Sequence, residues 1–303
     1  MSDPSDRSDA ESTAARKRSR TGWLLALPGT LYLVLFFAIP VFALLATSLY
    51  EPIPGGDLGD YRPALRFQNY TDALFGENQY WQTLVRSFAY AMIATVAALL
   101  IAYPTAYLIA VRLRGRRLLQ SILLVCIIAP FFTSFILRTI AWKQVLADDS
   151  MAVSGLKFLH LLPHDAHLTA TGFAVVAGLT YNFLPFMALP IFASLERLDV
   201  RLLEAGADLY ASAFTTFRNI TLPLSIPGVV AGTLLTFIPA TGDYVNAALL
   251  GNPNTTMIGQ VIDARFFTVL DYPTASALSF TLMAIILVIV SVYVRKAGTK
   301  DLL

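Results

Sequence analysis

The residue types and spacing that indicate a specific task lie in a charged stretch, residues 204–223, between two long apolar runs. Apolar side chains recur there every three or four residues, which predicts a short amphipathic helix over about 200–217. Ala205 and Gly206 are small enough for a partner to approach the helix closely. The pattern indicates docking of another protein against a helix at a membrane surface, and an ordinary amphipathic surface helix is the alternative.

Asp243 is the one clear acid within an apolar run of the sequence. A carboxylate at membrane depth is costly, so we expect this side chain to face a cavity or a partner. One interpretation is a binding role in a transport path. The other is a structural ion pair with a basic group, for which Arg138 is the nearest candidate at membrane depth.

No group of residues in the sequence indicates catalysis, a metal or a resident cofactor. His160, His164 and His167 do not have the spacing of a compact zinc motif, and no nucleophile motif surrounds a serine. The sequence also lacks Gly-x-x-x-x-Gly-Lys-Ser/Thr, the loop that cradles phosphates, so we expect this chain not to bind ATP in that way. We therefore predict a protein that is not an enzyme and that receives its energy from a separate subunit.

The elements that must position these residues are membrane spans. Hydrophobic residues make up 56% of the 303 positions and charged residues 14%. That charged content is far below the roughly 25% of a soluble domain. An apolar run of about 20 residues crosses a bilayer as a helix, because lipid offers no partner to exposed backbone groups. Six such runs are predicted, at about 23–50, 87–111, 118–142, 169–195, 224–250 and 275–294.

The distribution of basic residues predicts the orientation of these spans. Residues 1–21 are polar and lack apolar periodicity, which predicts a disordered tail. The side of the membrane that holds this tail carries 15 of the 22 Lys and Arg residues, and cytoplasmic segments accumulate these residues. Both termini are therefore predicted to be cytoplasmic. The transmembrane domain is predicted over 22–295, with a second cytoplasmic tail over 296–303.

The stretch 204–223 resembles a motif of the permease subunits of ABC importers. That motif reads Glu-Ala-Ala, three residues, Gly, nine residues and Ile-x-Leu-Pro, and this chain has the same spacing. Gly206 stands in place of the second alanine, a mild departure, and Tyr210 stands in place of the glycine, a large one. The residues that match the motif are Glu204, Ala205, Ile220, Leu222 and Pro223.

This resemblance implies an all-α membrane protein with the six transmembrane helices of the type I ABC importer permease fold, also called MetI-like. In that family the stretch is a coupling helix, which docks in a groove of the cytoplasmic ATPase and transmits its closure to the membrane domain. The implied coupling residues are Glu204, Ala205, Gly206, Asp208, Tyr210, Leu222 and Pro223.

A narrower resemblance covers residues 242–259. The sequences Gly-Asp-Tyr-Val at 242–245, Leu-Leu-Gly at 249–251 and Thr-Met-Ile-Gly at 256–259 are similar to the permeases of spermidine/putrescine importers, which commonly have glutamate in place of Asp243. A linear polyamine is a row of ammonium groups, which suits carboxylates and aromatic faces. The candidate residues of the substrate path are Asp243, Tyr244, Tyr181 and Phe183.

Together the resemblances imply the channel-forming subunit of an ATP-driven polyamine importer in the inner or plasma membrane of a bacterium. The implied partners are a second, different permease subunit, two ATPase subunits that bind ATP and Mg²⁺, an extracytoplasmic substrate-binding protein and the lipid bilayer, with no nucleic acid. Another amine, sulfate or thiamine is the alternative substrate within the family. A secondary transporter or channel that works without an ATPase is the alternative from another class, and a membrane-embedded enzyme comes third.

Overall fold

The computed structural model describes residues 26–77 and 79–297, and this part of the chain is mostly helical. The predicted tail 1–21, and most of the predicted tail 296–303, lie outside the described residues. The elements are α1 (Ala26–Thr47), β1 (Glu51–Pro52), β2 (Tyr61–Arg62), α2 (Gln68–Phe75), α3 (Tyr80–Arg112), α4 (Arg117–Phe132), α5 (Phe135–Val145), α6 (Met151–Phe158), α7 (Gly172–Glu196), α8 (Val200–Asp208), α9 (Ala213–Thr241), α10 (Val245–Leu250), α11 (Ile258–Asp263) and α12 (Tyr272–Ala297).

Five of these helices are long and apolar enough to cross a membrane, namely α1, α3, α7, α9 and α12. The remaining predicted span, over 118–142, is a pair of helices, α4 and α5, bent by 102° at their junction. The bend follows Pro130, where the chain tightens into a 3₁₀ turn, and Thr133 then takes extended backbone angles. A proline lacks the N–H group that a continuous helix needs, which accounts for the break. The run forms a sixth span only if the bent pair is counted as one.

The centre of the bundle is formed by α3, α7 and α9, which pack through small side chains. Gly228 of α9 lies so close to α7 that an added Cβ atom would be 2.5 Å from the carbonyl oxygen of Pro190. Small residues let membrane helices approach closely enough for their backbones to make contact. One face of α3 carries five buried alanines at spacings of three and four residues: Ala91, Ala94, Ala98, Ala102 and Ala106.

The predicted fifth span, over 224–250, differs from the structure at both ends. The helix α9 already begins at Ala213, because the side-chain oxygen of Ser212 caps it by accepting a hydrogen bond from the backbone nitrogen of Thr215. It ends at Thr241, and a break at 242–244 separates it from the short helix α10. Asp243 therefore lies between two helices and not within one.

The amphipathic helix predicted over 200–217 is also shorter in the structure. The helix α8 ends at Asp208, the chain turns at Tyr210, and residues 213–217 belong to α9. The apolar spacing continues across the turn because the start of α9 again places a large side chain, Phe217, against the bundle. Periodicity alone therefore could not show where the first helix stops.

Candidate docking surface and intramembrane path

The docking segment, defined as residues 200–223, forms an exposed surface at one end of the bundle. This end also carries the arginines of residues 112–117, and we call it the basic end. The side chains of Leu209 and Tyr210 are 82% and 99% exposed. Of the seven predicted coupling residues, the six that are exposed are Glu204, Ala205, Asp208, Tyr210, Leu222 and Pro223.

Tyr210 closes the turn after α8 in a left-handed backbone conformation, with a φ angle of 55°. The backbone nitrogen of Ala211 donates to the carbonyl oxygen of Gly206 over 3.0 Å, which is the hydrogen bond of a Schellman motif at the end of a helix. Glycine is usual at this position because a Cβ atom disfavours positive φ, at a cost of about 1–2 kcal/mol. The turn thus explains why the importer motif has a glycine here, and it shows that tyrosine adopts the same backbone conformation.

Gly206, the seventh predicted coupling residue, is buried and faces the bundle instead of a partner. An added Cβ atom would lie 3.1 Å from Oγ1 of Thr216 and 3.5 Å from Cδ1 of Ile220. The motif isoleucine therefore packs beneath α8, and Gly206 brings α8 close to the first turns of α9. The expectation that Gly206 lets a partner approach closely is wrong, because the side of α8 that carries it is already covered by this chain.

Asp243 is buried, with 8% of its surface exposed, in the break between α9 and α10. Its Oδ1 atom accepts a hydrogen bond of 2.7 Å from the backbone nitrogen of Asn246, one of the N–H groups in the first turn of α10 that lack a partner within the helix. Within 26–77 and 79–297, Asp243 forms no ion pair, and the guanidinium of Arg138 lies over the rings of Phe131 and Phe135 at 5.5 and 5.6 Å. The structure therefore does not show the alternative pairing of Asp243 with Arg138.

The other three predicted path residues are not gathered around Asp243. Tyr244 follows it directly and is 48% exposed. Phe183 is only 6% exposed and belongs to the hydrophobic core, where its ring lies 6.0 Å from that of Phe135. Tyr181 packs edge-on against Trp142 and lines an apolar cavity of about 300 Å³ between α3, α4 and α7. The structure thus supports Tyr244 as a neighbour of Asp243, and it assigns Phe183 to packing.

A buried polar cluster next to Asp243 was not predicted from the sequence. The side-chain nitrogen of Asn182 in α7 donates to Oγ1 of Thr139 in α5 and to Oδ1 of Asn246 in α10, each over 3.0 Å. Gly178 makes room for the cluster, because an added Cβ atom there would lie 2.6 Å from Oδ1 of Asn246. The only available signal in the sequence was three polar residues inside apolar runs, and nothing in their spacing showed that they meet.

The three histidines do not form a common site. Nδ1 of His167 lies 2.5 Å from Oδ2 of Asp148, and the rings of His160 and His164 face each other edge-on with centroids 6.3 Å apart. In the described ranges no group of three or more His, Cys, Asp or Glu residues has the geometry to hold a metal ion. The histidines therefore have local contacts in the segment between the bent pair and α7.

Sequence comparison relates the chain to membrane transport proteins. The family described as binding-protein-dependent transport system inner membrane component matches residues 98–297. The spermidine/putrescine transport system permease protein PotB of Escherichia coli K12 is 34% identical over 264 residues, 87% of this chain and 93% of PotB. PotB of Haemophilus influenzae is also 34% identical, over 87% of this chain and 90% of its own length. The inner membrane ABC transporter permease protein YdcU of E. coli K12 is 32% identical over 93% of this chain and 91% of YdcU.

Two solved structures share the helical arrangement at low sequence identity. A chain of a bacterial ABC transporter involved in the import of the acidic polysaccharide alginate aligns with a TM-score of 0.69 and 14% identity, covering 96% of this chain and 99% of its own. A chain of the MetNI methionine ABC transporter in an inward-facing conformation aligns with a TM-score of 0.51 and 15% identity, covering 73% of this chain and 95% of its own. At this level of identity the likeness concerns the fold alone.

Proposed function

This chain belongs to the family of binding-protein-dependent transport system inner membrane components, and we propose that it is the channel-forming permease subunit of an ATP-driven polyamine importer. The matched region, residues 98–297, includes the docking segment, Asp243 and the buried polar cluster. The observation that carries the substrate class is the 34% identity with PotB, which extends over 87% of this chain. The all-α fold of an ABC transporter permease is confirmed by the family match and the solved structures.

Energy for transport comes from two ATPase subunits that dock on the basic end, which faces the cytoplasm. The exposed residues of α8 and its turn support this role, since Glu204 and Asp208 offer carboxylates and Leu209 and Tyr210 offer apolar contact area. Exposed aromatic side chains of this kind often contribute most to the binding energy of a protein interface. The ATPase subunits bind ATP and Mg²⁺, because this chain has no phosphate-cradling loop.

A second permease subunit completes the channel, and an extracytoplasmic binding protein delivers the substrate. One structural relative, a bacterial alginate ABC transporter, has been solved in complex with a periplasmic protein bound to alginate pentasaccharide. By analogy, the binding protein of this importer docks on the end of the bundle opposite the basic end. We call this the loop end, formed by residues 51–77 and 251–271.

The buried carboxylate of Asp243 supports a cationic substrate. Tyr244 follows it in the sequence and is half-exposed, and carboxylates and aromatic faces both favour an ammonium group. A polyamine carries several ammonium groups in a row, so one of them would meet Asp243 as the substrate passes. Tyr181 does not lie with Asp243, and in this proposal it is a separate aromatic contact, in the apolar cavity between α3, α4 and α7.

Reconstitution into vesicles tests this function. The chain is purified with its partners and supplied with ATP, the binding protein and labelled spermidine or putrescine. We expect ATP-dependent uptake of the polyamine and no uptake without the ATPase subunits. Uptake in vesicles that lack an ATPase would instead indicate a secondary transporter. Preferential uptake of sulfate, thiamine or another amine would support an importer with that solute as its substrate.

A further inference from the structure

The aromatic ring of Phe217 connects the docking segment to α3. Phe217 begins the π-helical segment Phe217–Thr221 of α9, and its ring meets Tyr103 edge-on with centroids 5.7 Å apart. It meets Tyr107 in the same way at 5.9 Å. Tyr103 and Tyr107 are four residues apart, so they lie one above the other on α3 and hold Phe217 between them.

Two polar contacts strengthen the attachment at the basic end. The hydroxyl of Tyr103 shares a hydrogen bond of 2.7 Å with the buried hydroxyl of Ser225, one turn beyond the π-helical segment. Arg114 donates to the carbonyl oxygens of Glu196 and Leu198, at 2.5 and 2.8 Å, just before α8 begins. The region around the end of α3 thus contacts the chain on both sides of the exposed docking segment.

The first turns of α3 make a matching attachment at the loop end. Arg86 donates to the carbonyl oxygens of Asn254 and Thr256, at 2.5 and 2.8 Å. Oγ of Ser87 accepts a hydrogen bond of 2.7 Å from the backbone nitrogen of Ile258, in a buried position. These contacts hold residues 254–258, the segment that follows Asp243 and α10.

Between the two attachments α3 is one continuous α-helix. From Ser87 to Tyr103 it rises by roughly 24 Å at 1.5 Å per residue, and its buried alanines pack against α7. The last turn of α3, Leu108–Arg112, is π-helical, as is Phe217–Thr221. Two further π-helical turns, Val34–Ala38 and Ala264–Thr268, lie elsewhere in the described residues, so the connection rests on the contacts and not on this turn type. The contact between Tyr107 and Phe217 joins the beginnings of Leu108–Arg112 and Phe217–Thr221.

We propose that α3 is a transmission rod that passes movement of the docking segment directly to the segment 254–258 at the loop end. This inference rests on the proposed function, since the movement would originate in the docked ATPase subunits. Phe217 acts as the positioning residue at the basic end and Arg86 at the loop end. The rod supplies a route besides the covalent connections of α8 to α7 and α9.

The decisive variant is Phe217→Leu, which keeps an apolar side chain but removes the ring from between the two tyrosines. In the complete transporter with its ATPase subunits and spermidine-loaded binding protein, ATP hydrolysis and spermidine uptake are measured together. We expect ATP consumed per spermidine to rise about tenfold, within the usual range for coupling between distant sites. Phe42→Leu, at an exposed position of α1, is the matched control and keeps the wild-type ratio.

Arg114→Lys is the second variant, should Phe217→Leu fold poorly. Lysine keeps the positive charge but lacks the planar guanidinium whose two nitrogens donate to the two carbonyl oxygens.

A third measurement combines Phe217→Leu with Arg86→Lys. If both act through one rod, the double variant is no worse than the poorer single variant.

The outcomes separate this inference from the proposed function. If the ATPase subunits do not co-purify with the wild-type chain, the proposed function fails. If they co-purify with Phe217→Leu and the ratio of ATP to spermidine stays at the wild-type value, α3 is not the rod. Fully additive effects of the changes at 217 and 86 would also overturn the inference, because they would show that the two ends act independently.

Discussion

The backbone nitrogen of Ala211 donates to the carbonyl oxygen of Gly206, and this hydrogen bond closes the turn in which Tyr210 takes its left-handed conformation. The turn fixes the direction in which Leu209 and Tyr210 leave the bundle, with both side chains almost fully exposed. An energetically unfavourable backbone conformation at an exposed position is a feature of many binding sites. Tyr210 is therefore the residue at which backbone strain and partner binding can be separated by mutation.

Replacing Tyr210 with glycine removes the steric cost of positive φ, and replacing it with alanine removes the ring but keeps the Cβ atom. We expect Tyr210→Gly to strengthen the turn by about 1 kcal/mol, whereas Tyr210→Ala leaves it unchanged. Hydrogen exchange at the amide of Ala211 measures the difference. Equal protection in the two variants would contradict the strain. If both lose affinity for the ATPase equally, the ring itself contributes to docking.

Reversing the charge of Glu204 tests the docking surface. We expect Glu204→Lys to leave the permease folded but to abolish most ATP-driven spermidine uptake, because the exposed carboxylate is replaced by a cation at the centre of α8. Uptake and ATPase co-purification are measured together. Asp165→Lys, at an exposed position outside the docking segment, is the matched control. Normal uptake by Glu204→Lys would show that α8 does not couple to the ATPase.

Asp243→Asn separates the charge of this side chain from its structural role. Asparagine keeps an oxygen that accepts the hydrogen bond from the backbone nitrogen of Asn246, so α10 stays in place. The lost charge should raise the spermidine concentration for half-maximal uptake about tenfold, the size expected for one charge-assisted contact. Asp243→Ala, which also loses the hydrogen bond with the backbone nitrogen of Asn246, should reduce the folded yield. Unchanged uptake by Asp243→Asn would exclude a cation-binding role.

The buried amide cluster is tested by removing its central member. Asn182→Ala should destabilise the permease by about 1 kcal/mol, as is typical of hydrogen bonds between membrane helices. The melting temperature of the purified chain measures the loss. Gly178→Ala is a steric counterpart, because its new methyl group would press on the side chain of Asn246. If this cluster holds α10 in place, both variants weaken the hydrogen bond between the backbone nitrogen of Asn246 and Asp243, and both reduce uptake. If stability is unaffected by Asn182→Ala, the cluster does not hold α10.

The helical fold could be predicted from the sequence because it depends on local patterns. Apolar runs of about 20 residues mark the spans, and the spacing from Glu204 to Pro223 identifies the docking segment. Apolar residues continue on both sides of Pro130 and of Asp208, so neither the 102° bend nor the end of α8 can be located from apolar patterning alone. A glycine at position 210 would have indicated a left-handed turn at the end of α8. Tyrosine gives no such indication, although Tyr210 takes the same positive φ.

The path residues were harder to predict than the docking segment because contacts within a bundle join residues far apart in the sequence. Asp243 was recognised by its charge, but its partner is the nearby backbone nitrogen of Asn246 and not Arg138. Aromatic residues in apolar runs are mostly packing residues, and Phe183 is one of them. Phe217 packs against Tyr103 and Tyr107, which lie more than 100 residues earlier in the chain. Nothing in the sequence around any of these residues indicates this contact.

The hydrogen bond from the backbone nitrogen of Asn246 to Oδ1 of Asp243 also has a consequence for the proposed cation-binding role of Asp243. One carboxylate oxygen is fixed by the start of α10, so the orientation of the side chain is set when the protein folds. A fixed acceptor loses little rotational entropy when an ammonium group arrives. Under the proposed function, this acceptor is therefore already in place when a cation arrives, and binding requires no reorientation of the side chain.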